Sequence, residues 1–421
     1  MTQALQEPTE RVSLGFQILL GLASAGTFLA VMPVLNILIP AQVTQVDLER
    51  SATNLALVLP IGAIGALIGN PLAGALSDRT TSRFGRRRPW ILIGVLATSA
   101  GLAVLANSHT ILWLAIGWFM VQFFGNMLFA SYSAILPDRV PIHQRGATQA
   151  ILGFASPSVM IAGAFYLGRV QNFRAGYYPI ILVLIGLNAI FVWLYREPPL
   201  PQGLVPAFRL RSFLASFWIN PRQQPNFGLA WIAWLLVWTG YTLGGGGFLF
   251  LYIQNITGYA NLFPGHAVKE GMSNLQILQT FCGVPLIMLA AVLSDRFRQR
   301  KLFVTAGTAL VIFGLVLLAM FSNWTMVLIA GTAIGVGFWI FYSLGLAMMS
   351  QILPSASSRG KDLGVLNIAS TVPQVILPGI GAALLNALGT GSPIGYTILF
   401  LTGALFVVLG TVLMQLVRGV R

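Results

Sequence analysis

The sequence predicts an all-α integral membrane protein with twelve membrane-spanning helices in two six-helix halves. Three observations predict it. Of the 421 residues, 56% are hydrophobic and 8% charged, whereas a soluble domain carries about a quarter charged residues. The apolar residues gather into twelve runs, each long enough to cross a hydrocarbon core of about 30 Å, which takes about 20 residues of helix. Short motifs of the first half recur, in order, in the second. A β-barrel would instead show short strands of alternating polarity.

The runs are 14–39, 52–77, 89–107, 110–137, 146–169, 176–195, 225–254, 273–294, 302–321, 324–353, 363–389 and 392–417. The first follows a polar stretch holding Glu7, Glu10 and Arg11. It is longer than a signal-peptide core, so it reads as a retained span. Across all twelve ranges only Arg169, at the end of the fifth, is charged. A charge at mid-bilayer costs about 2.5–3.5 kcal/mol on insertion scales, so such clean runs belong in lipid.

Charge placement orients them. With the N-terminus inside, 20 of the 24 Lys and Arg residues fall on the inner side, leaving Arg50, Arg169, Arg174 and Lys269 outside. This is the positive-inside pattern. It places both termini in the cytoplasm, in the inner (plasma) membrane of the cell. The net charge of +14 is then an inner rim facing lipid headgroups, and no nucleic-acid partner is expected. The expected domains are an N-terminal six-helix bundle, 1–195, a Pro- and Arg-rich cytoplasmic linker, 196–224, and a C-terminal bundle, 225–421. A lone cysteine, Cys282, excludes an internal disulfide. His109, His143 and His266 sit in or beside loops, so no metal site is expected. Without a P-loop or a nucleophile–base pattern, neither a cofactor nor an enzymatic activity is expected.

The internal repeat is explicit. Ala75-Leu76-Ser77-Asp78-Arg79 after the second run matches Val292-Leu293-Ser294-Asp295-Arg296 after the eighth. Ile135-Leu136-Pro137 matches Ile352-Leu353-Pro354, Arg145-Gly146 matches Arg359-Gly360, and Ala155-Ser156 matches Ala369-Ser370. Two parallel six-helix halves describe the major facilitator architecture. There a substrate site lies between the halves near mid-membrane, and one half rocks against the other.

The densest motif runs from Gly74 to Trp90: Ser77-Asp78-Arg79-Thr80-Thr81-Ser82-Arg83-Phe84-Gly85-Arg86-Arg87-Arg88-Pro89 and its flanks. Asp78 at the end of the second helix is expected to pair with a nearby arginine and latch one conformation. Arg86, Arg87 and Arg88 are read mainly as setting orientation and meeting anionic headgroups. Arg79, Arg86, Asp295 and Arg296 join Asp78 as gating candidates.

This loop resembles the signature of the sucrose/proton symporter group, relatives of the glycoside–pentoside–hexuronide:cation symporters within the major facilitator superfamily. That signature reads S-D-R-x-T-S-R-[FW]-G-R-R-R-P, and Ser77–Arg79 and Ser82–Pro89 fit it. Asn126 to Asp138 is similar to the group's fourth-helix pattern N-M-L-Q-G-P-x-R-A-L-L-A-D. The resemblance implies secondary transport by alternating access and links Asp138 to proton coupling. No acid lies deeper in the bundle. Equally, Asp138 lies at the inner end of the fourth helix, next to Arg139 and close to Arg145, and an aspartate there often pairs with loop arginines. One departure matters: Ser133 stands where the group has a sugar-associated arginine. The resemblance therefore implies a sugar-like solute without specifying sucrose.

Helices 1, 4, 7 and 10 line the cavity of this architecture. Their candidate ligand residues are Asn36; Gln122, Asn126 and Tyr132; Trp234, Trp238, Tyr241, Gln254 and Asn255; and Trp339 and Tyr342. Gln374, Gln276 and Gln279 are secondary candidates. Amides, hydroxyls and aromatic rings without buried charge suit an uncharged polyhydroxy ligand. The alternative for each is interhelical hydrogen bonding or interfacial anchoring. Gly244-Gly245-Gly246-Gly247 in the seventh run reads as a hinge or as a close-packing face. Pro157, Pro373 and Pro378 are expected to kink their helices.

The expected function is proton-coupled symport of a small sugar-like solute by a monomer in contact with membrane lipids. The alternatives are a drug or metabolite exporter of the same fold and a non-transporting assembly or pigment-handling factor.

Overall fold

The computed structural model describes residues 8–197, 224–352 and 359–417. The linker expected at 196–224 is therefore described only at its ends, and Leu353-Pro354 of the repeat lies outside the described residues. Twelve helices have the length and polarity to span a membrane. They are α1 (Leu14–Val46), α2 (Ser51–Ser77), α3 (Arg88–Ala106), α4 (Ile111–Arg139), α5 (Ile142–Arg169), α6 (Phe173–Leu194), α7 (Pro225–Thr257), α8 (Val268–Phe297), α9 (Arg300–Met320), α10 (Trp324–Ile352), α11 (Arg359–Leu388) and α12 (Pro393–Leu416). No strand occurs among the described residues. Helices satisfy every backbone polar group internally, which lipid cannot do.

The chain divides into two compact units, 1–42 with 61–210 and 43–60 with 211–421. By packing, the first turns of α2 thus go with the second unit. In the first unit α3 packs on α4 and α6, and α1 packs on α5 and α6. Small residues allow the approach: a Cβ on Gly101 of α3 would lie 3.0 Å from the Val121 nitrogen of α4. In the second unit α9 packs on α10 and α12, and α7 packs on α11 and α12. Large apolar side chains such as Phe154, Leu182, Trp193 and Phe281 point outward, as lipid-facing surfaces require.

Two helices depart from regular α geometry at matching places. α1 passes through a π-turn at Val34–Leu38 and α7 through one at Ile253–Thr257. Asn36-Ile37 and Asn255-Ile256 occupy equivalent positions within them. π-turns inside α-helices concentrate at functional sites.

α7 is also interrupted. Its first part stops at Gly244, Gly245 is extended, and the helix restarts at Gly246, whose φ is +52°. That backbone needs glycine. Close packing is present too: a Cβ on Gly244 would overlap the Leu315 side chain. The helices carrying Pro157, Pro373 and Pro378 run on through them.

Candidate functional site

Two sets of residues stand out, one in each unit. The first is a charge network at the basic end of the first unit. The loop between α2 and α3 turns at Gly85, whose φ is +93°. A Cβ there would come within 2.7 Å of the Glu197 side chain. The turn sets Arg86 and Arg87 against the ends of α2, α4 and α6.

Arg87 is the hub. Its Nη2 donates to Asp78 Oδ1 at 2.5 Å and its Nε to Asp138 Oδ2 at 3.1 Å. Its Nη1 donates to Ser77 Oγ. Its backbone N–H donates to Glu197 Oε2 at 2.8 Å. Arg86 bridges the other way, with Nη2 at 2.6 Å from Asp138 Oδ1 and Nε at 3.4 Å from Glu197 Oε1. Arg88 turns aside and donates from Nη2 to the Val192 carbonyl at the end of α6. A cation there suits the negative end of the helix dipole.

Arg87 is 3% exposed. Burial works against its charge, but Asp138 and Asp78 outweigh burial and raise its pKa, so it stays a cation. For Glu197, burial is the largest influence and raises the pKa. The Arg87 N–H and the guanidinium groups of Arg86 and Arg87 oppose it without cancelling it.

This geometry corrects one expectation and agrees with another, that Asp138 pairs with loop arginines. Arg87, read as setting orientation, holds two carboxylates. Asp138 pairs with Arg86 and Arg87, whereas Arg145 donates to the carbonyls of Val140 and Pro137 and Arg139 lies over the Tyr195 ring. Arg79 donates from Nη1 to the Ala75 carbonyl. Glu197 and Ser77 were missed altogether. The only hint to Glu197 is its place just after the sixth run, at the same membrane level as the loop arginines.

The matching loop of the second unit is simpler. Asp295 pairs with Arg300 at 3.0 Å, with the carboxylate side chain 68% exposed. Arg296, expected as a gating partner, is exposed and has no ion pair among the described residues.

The second set is aromatic and lies in the second unit, on α7 and α10. Tyr241 stacks on Phe338 with ring centroids 3.6 Å apart and planes 12° off parallel. Trp238 meets Phe338, Tyr241 and Tyr342 edge-on, and Trp339 packs edge-on against Tyr342. The Trp238 indole N–H is buried without a hydrogen-bond acceptor. No charged residue belongs to this set.

The remaining candidates separate into two groups. Tyr132 is 2% exposed and donates to Asn188 Oδ1 of α6, so its hydroxyl is engaged inside the first unit. Asn255 donates to the Thr390 carbonyl and the Tyr396 hydroxyl, Gln374 to the Ser370 carbonyl, Gln279 to the Gly331 carbonyl, and Trp234 to Ser370 Oγ. These bonds engage the side-chain nitrogens of Asn255, Gln374, Gln279 and Trp234 inside the second unit. Asn126 donates to the Gln122 carbonyl one turn back, which leaves its side-chain oxygen available. Gln276 is buried with its Oε1 unpaired. Asn36 and Gln254 are half-buried.

Comparison with known proteins adds the following. A family model described as Major Facilitator Superfamily matches residues 18–273 and 266–421. Sucrose transport protein SUT1 of rice (Oryza sativa subsp. japonica) is 21% identical over 89% of this chain and 83% of its own length. Human proton-associated sugar transporter A is 48% identical over a stretch covering 13% of this chain and 8% of its own. The crystal structure of a mutant of the nucleoside transporter NupG superposes with a TM-score of 0.72 at 14% identity, covering 96% of this chain and 100% of that one.

Proposed function

The chain belongs to the major facilitator superfamily, and we propose that it carries a small, uncharged, sugar-like solute across the inner membrane by proton-coupled symport. It is a multi-pass membrane transporter and not an enzyme. The observation that carries the substrate class is the aromatic set on α7 and α10. Trp238, Tyr241 and Tyr342 offer ring faces for the C–H surface of a sugar, and the unpaired Trp238 N–H offers a donor for a hydroxyl. With no buried charge among these residues, an ionic or phosphorylated solute would be left unpaired, at high cost in lipid. The sugar and proton-associated sugar transporters among its relatives support the reading.

Coupling is assigned to Asp138, the acid closest to the membrane interior in the first unit. Arg86 and Arg87 engage it in this geometry, and their release of it in a second state is the coupling step. Asp78 and Arg87 act with it as the latch, the protein works as a monomer, and both termini face the cytoplasm.

Purified protein in liposomes, supplied with a panel of labelled sugars with and without an inward proton gradient, tests this. One or more neutral sugars accumulates only with the gradient. Accumulation of none, with transport of a cationic drug instead, overturns the proposal in favour of export.

A further inference from the structure

Among the described residues, the basic end of the second unit holds arginines without an acidic partner. In the first unit Asp78, Asp138 and Glu197 absorb the charges of Arg86 and Arg87. In the second, Asp295 is committed to Arg300, and Lys301 donates to the Gln415 and Val417 carbonyls at the end of α12. Arg296 and Arg298 are exposed, with no ion pair among the described residues.

Arg298 and Lys301 line an open cleft of about 510 Å³ together with Phe297, Gln299 and Leu302. Phe297 and Leu302 are both 58% exposed. The cleft lies where α8 ends and α9 begins, at the edge of the membrane-spanning residues. Arg298 caps α8 in the left-handed conformation, at φ +52°. It is the one non-glycine residue with positive φ among the described residues. Glycine is the ordinary choice there, so the backbone gives no reason for an arginine, and its side chain must supply one.

We propose that this cleft binds an anionic phospholipid. The headgroup phosphate sits on the Arg298 guanidinium, whose fork matches two phosphate oxygens. Lys301 and Arg296 add positive potential, and the acyl chain lies along Phe297 and Leu302. Cations flanked by exposed apolar side chains at the membrane edge fit a lipid, which carries both charge and hydrocarbon. A free phosphate would use only the first.

Native mass spectrometry of the purified full-length protein with phosphatidylglycerol or phosphatidylcholine tests this. The wild type retains phosphatidylglycerol preferentially. Arg298→Gly removes the charge and suits the backbone, so it folds at least as stably and weakens phosphatidylglycerol retention about fivefold, the worth of one basic residue near an anionic surface. Arg298→Asn, which also tolerates left-handed backbone, reproduces the loss. Arg83→Gln in the first unit's loop leaves retention unchanged. Retention unaltered in both Arg298 variants overturns the proposal, as does an equal loss in Arg83→Gln, which would mean diffuse surface attraction. Binding of inorganic phosphate or glycerol phosphate as tight as that of the lipid also overturns it, by assigning the cleft to a soluble anion.

Discussion

Ser-Asp-Arg stands at the end of both α2 and α8, and each connection places a basic pair at the start of the next helix. Arg87-Arg88 precede and open α3; Arg300-Lys301 open α9. The first member of each pair binds the loop aspartate, Asp78 or Asp295. The second reaches the last carbonyls of the unit, Val192 at the end of α6 or Gln415 and Val417 at the end of α12. What differs is the supply of acid. Asp138 and Glu197 join the first loop, while the position equivalent to Asp138 is Ser355 and residues 389–421 contain no acid. One loop thus becomes a network of five charged residues centred on buried Arg87, and the other shows a single pair among the described residues. The repeat preserves a scaffold, and added carboxylates turn one copy into a buried charge network.

The comparison breaks most visibly at its hub. Removing one partner of a buried pair costs about 3–5 kcal/mol, because the others are left buried and unpaired. Arg87→Gln should therefore lower stability by about 3 kcal/mol, read as a lower melting temperature in detergent. If Arg87→Gln and Arg300→Gln melt alike, the two loops are equivalent and the contrast fails. Next comes Gly85→Ala. Left-handed backbone costs an ordinary residue about 1–2 kcal/mol, and the new methyl also meets Glu197. Gly246→Ala faces the backbone cost alone, with open space around its Cβ, so it should melt higher than Gly85→Ala.

Glu197 sharpens the comparison through pH. Burial raises its pKa from the ordinary 4.5, so the folded state binds the proton more tightly than the unfolded state. Its ionisation then costs stability, a cost that sets in as pH rises from about 4.5 through the folded value. Glu197→Gln should melt above the wild type at pH 7, with the gap closing as pH falls toward about 4. A variant that melts lower at pH 7 would show that Arg86 and Arg87 outweigh burial. The smallest effect is that of Arg300→Gln, below about 1 kcal/mol, as for exposed pairs generally.

The twelve spans and the repeat were legible because lipid imposes them on composition: a charge-free run of about twenty residues has few other uses. The interruption of α7 was legible in four consecutive glycines. The network was legible only in part. Arg86, Arg87 and Arg88 are identical as letters, and their roles separate only when the turn at Gly85 and the start of α3 point them in three directions. Glu197 is 110 residues from Arg87, and no local pattern links them. Tyr132 looked like a cavity residue because it is polar and lies on α4, but the phase of the helix turns it toward Asn188. Periodicity locates a helix, while the face it presents depends on neighbours that composition does not name.

The central claim is that the acid-rich loop of the first unit couples transport and its acid-poor counterpart does not. Sugar accumulation in liposomes under an inward proton gradient, measured alongside counterflow, tests it with Asp138→Asn and Asp295→Asn. The account predicts that Asp138→Asn loses accumulation and keeps counterflow, while Asp295→Asn keeps both. Accumulation preserved in Asp138→Asn, or lost in Asp295→Asn, would contradict it.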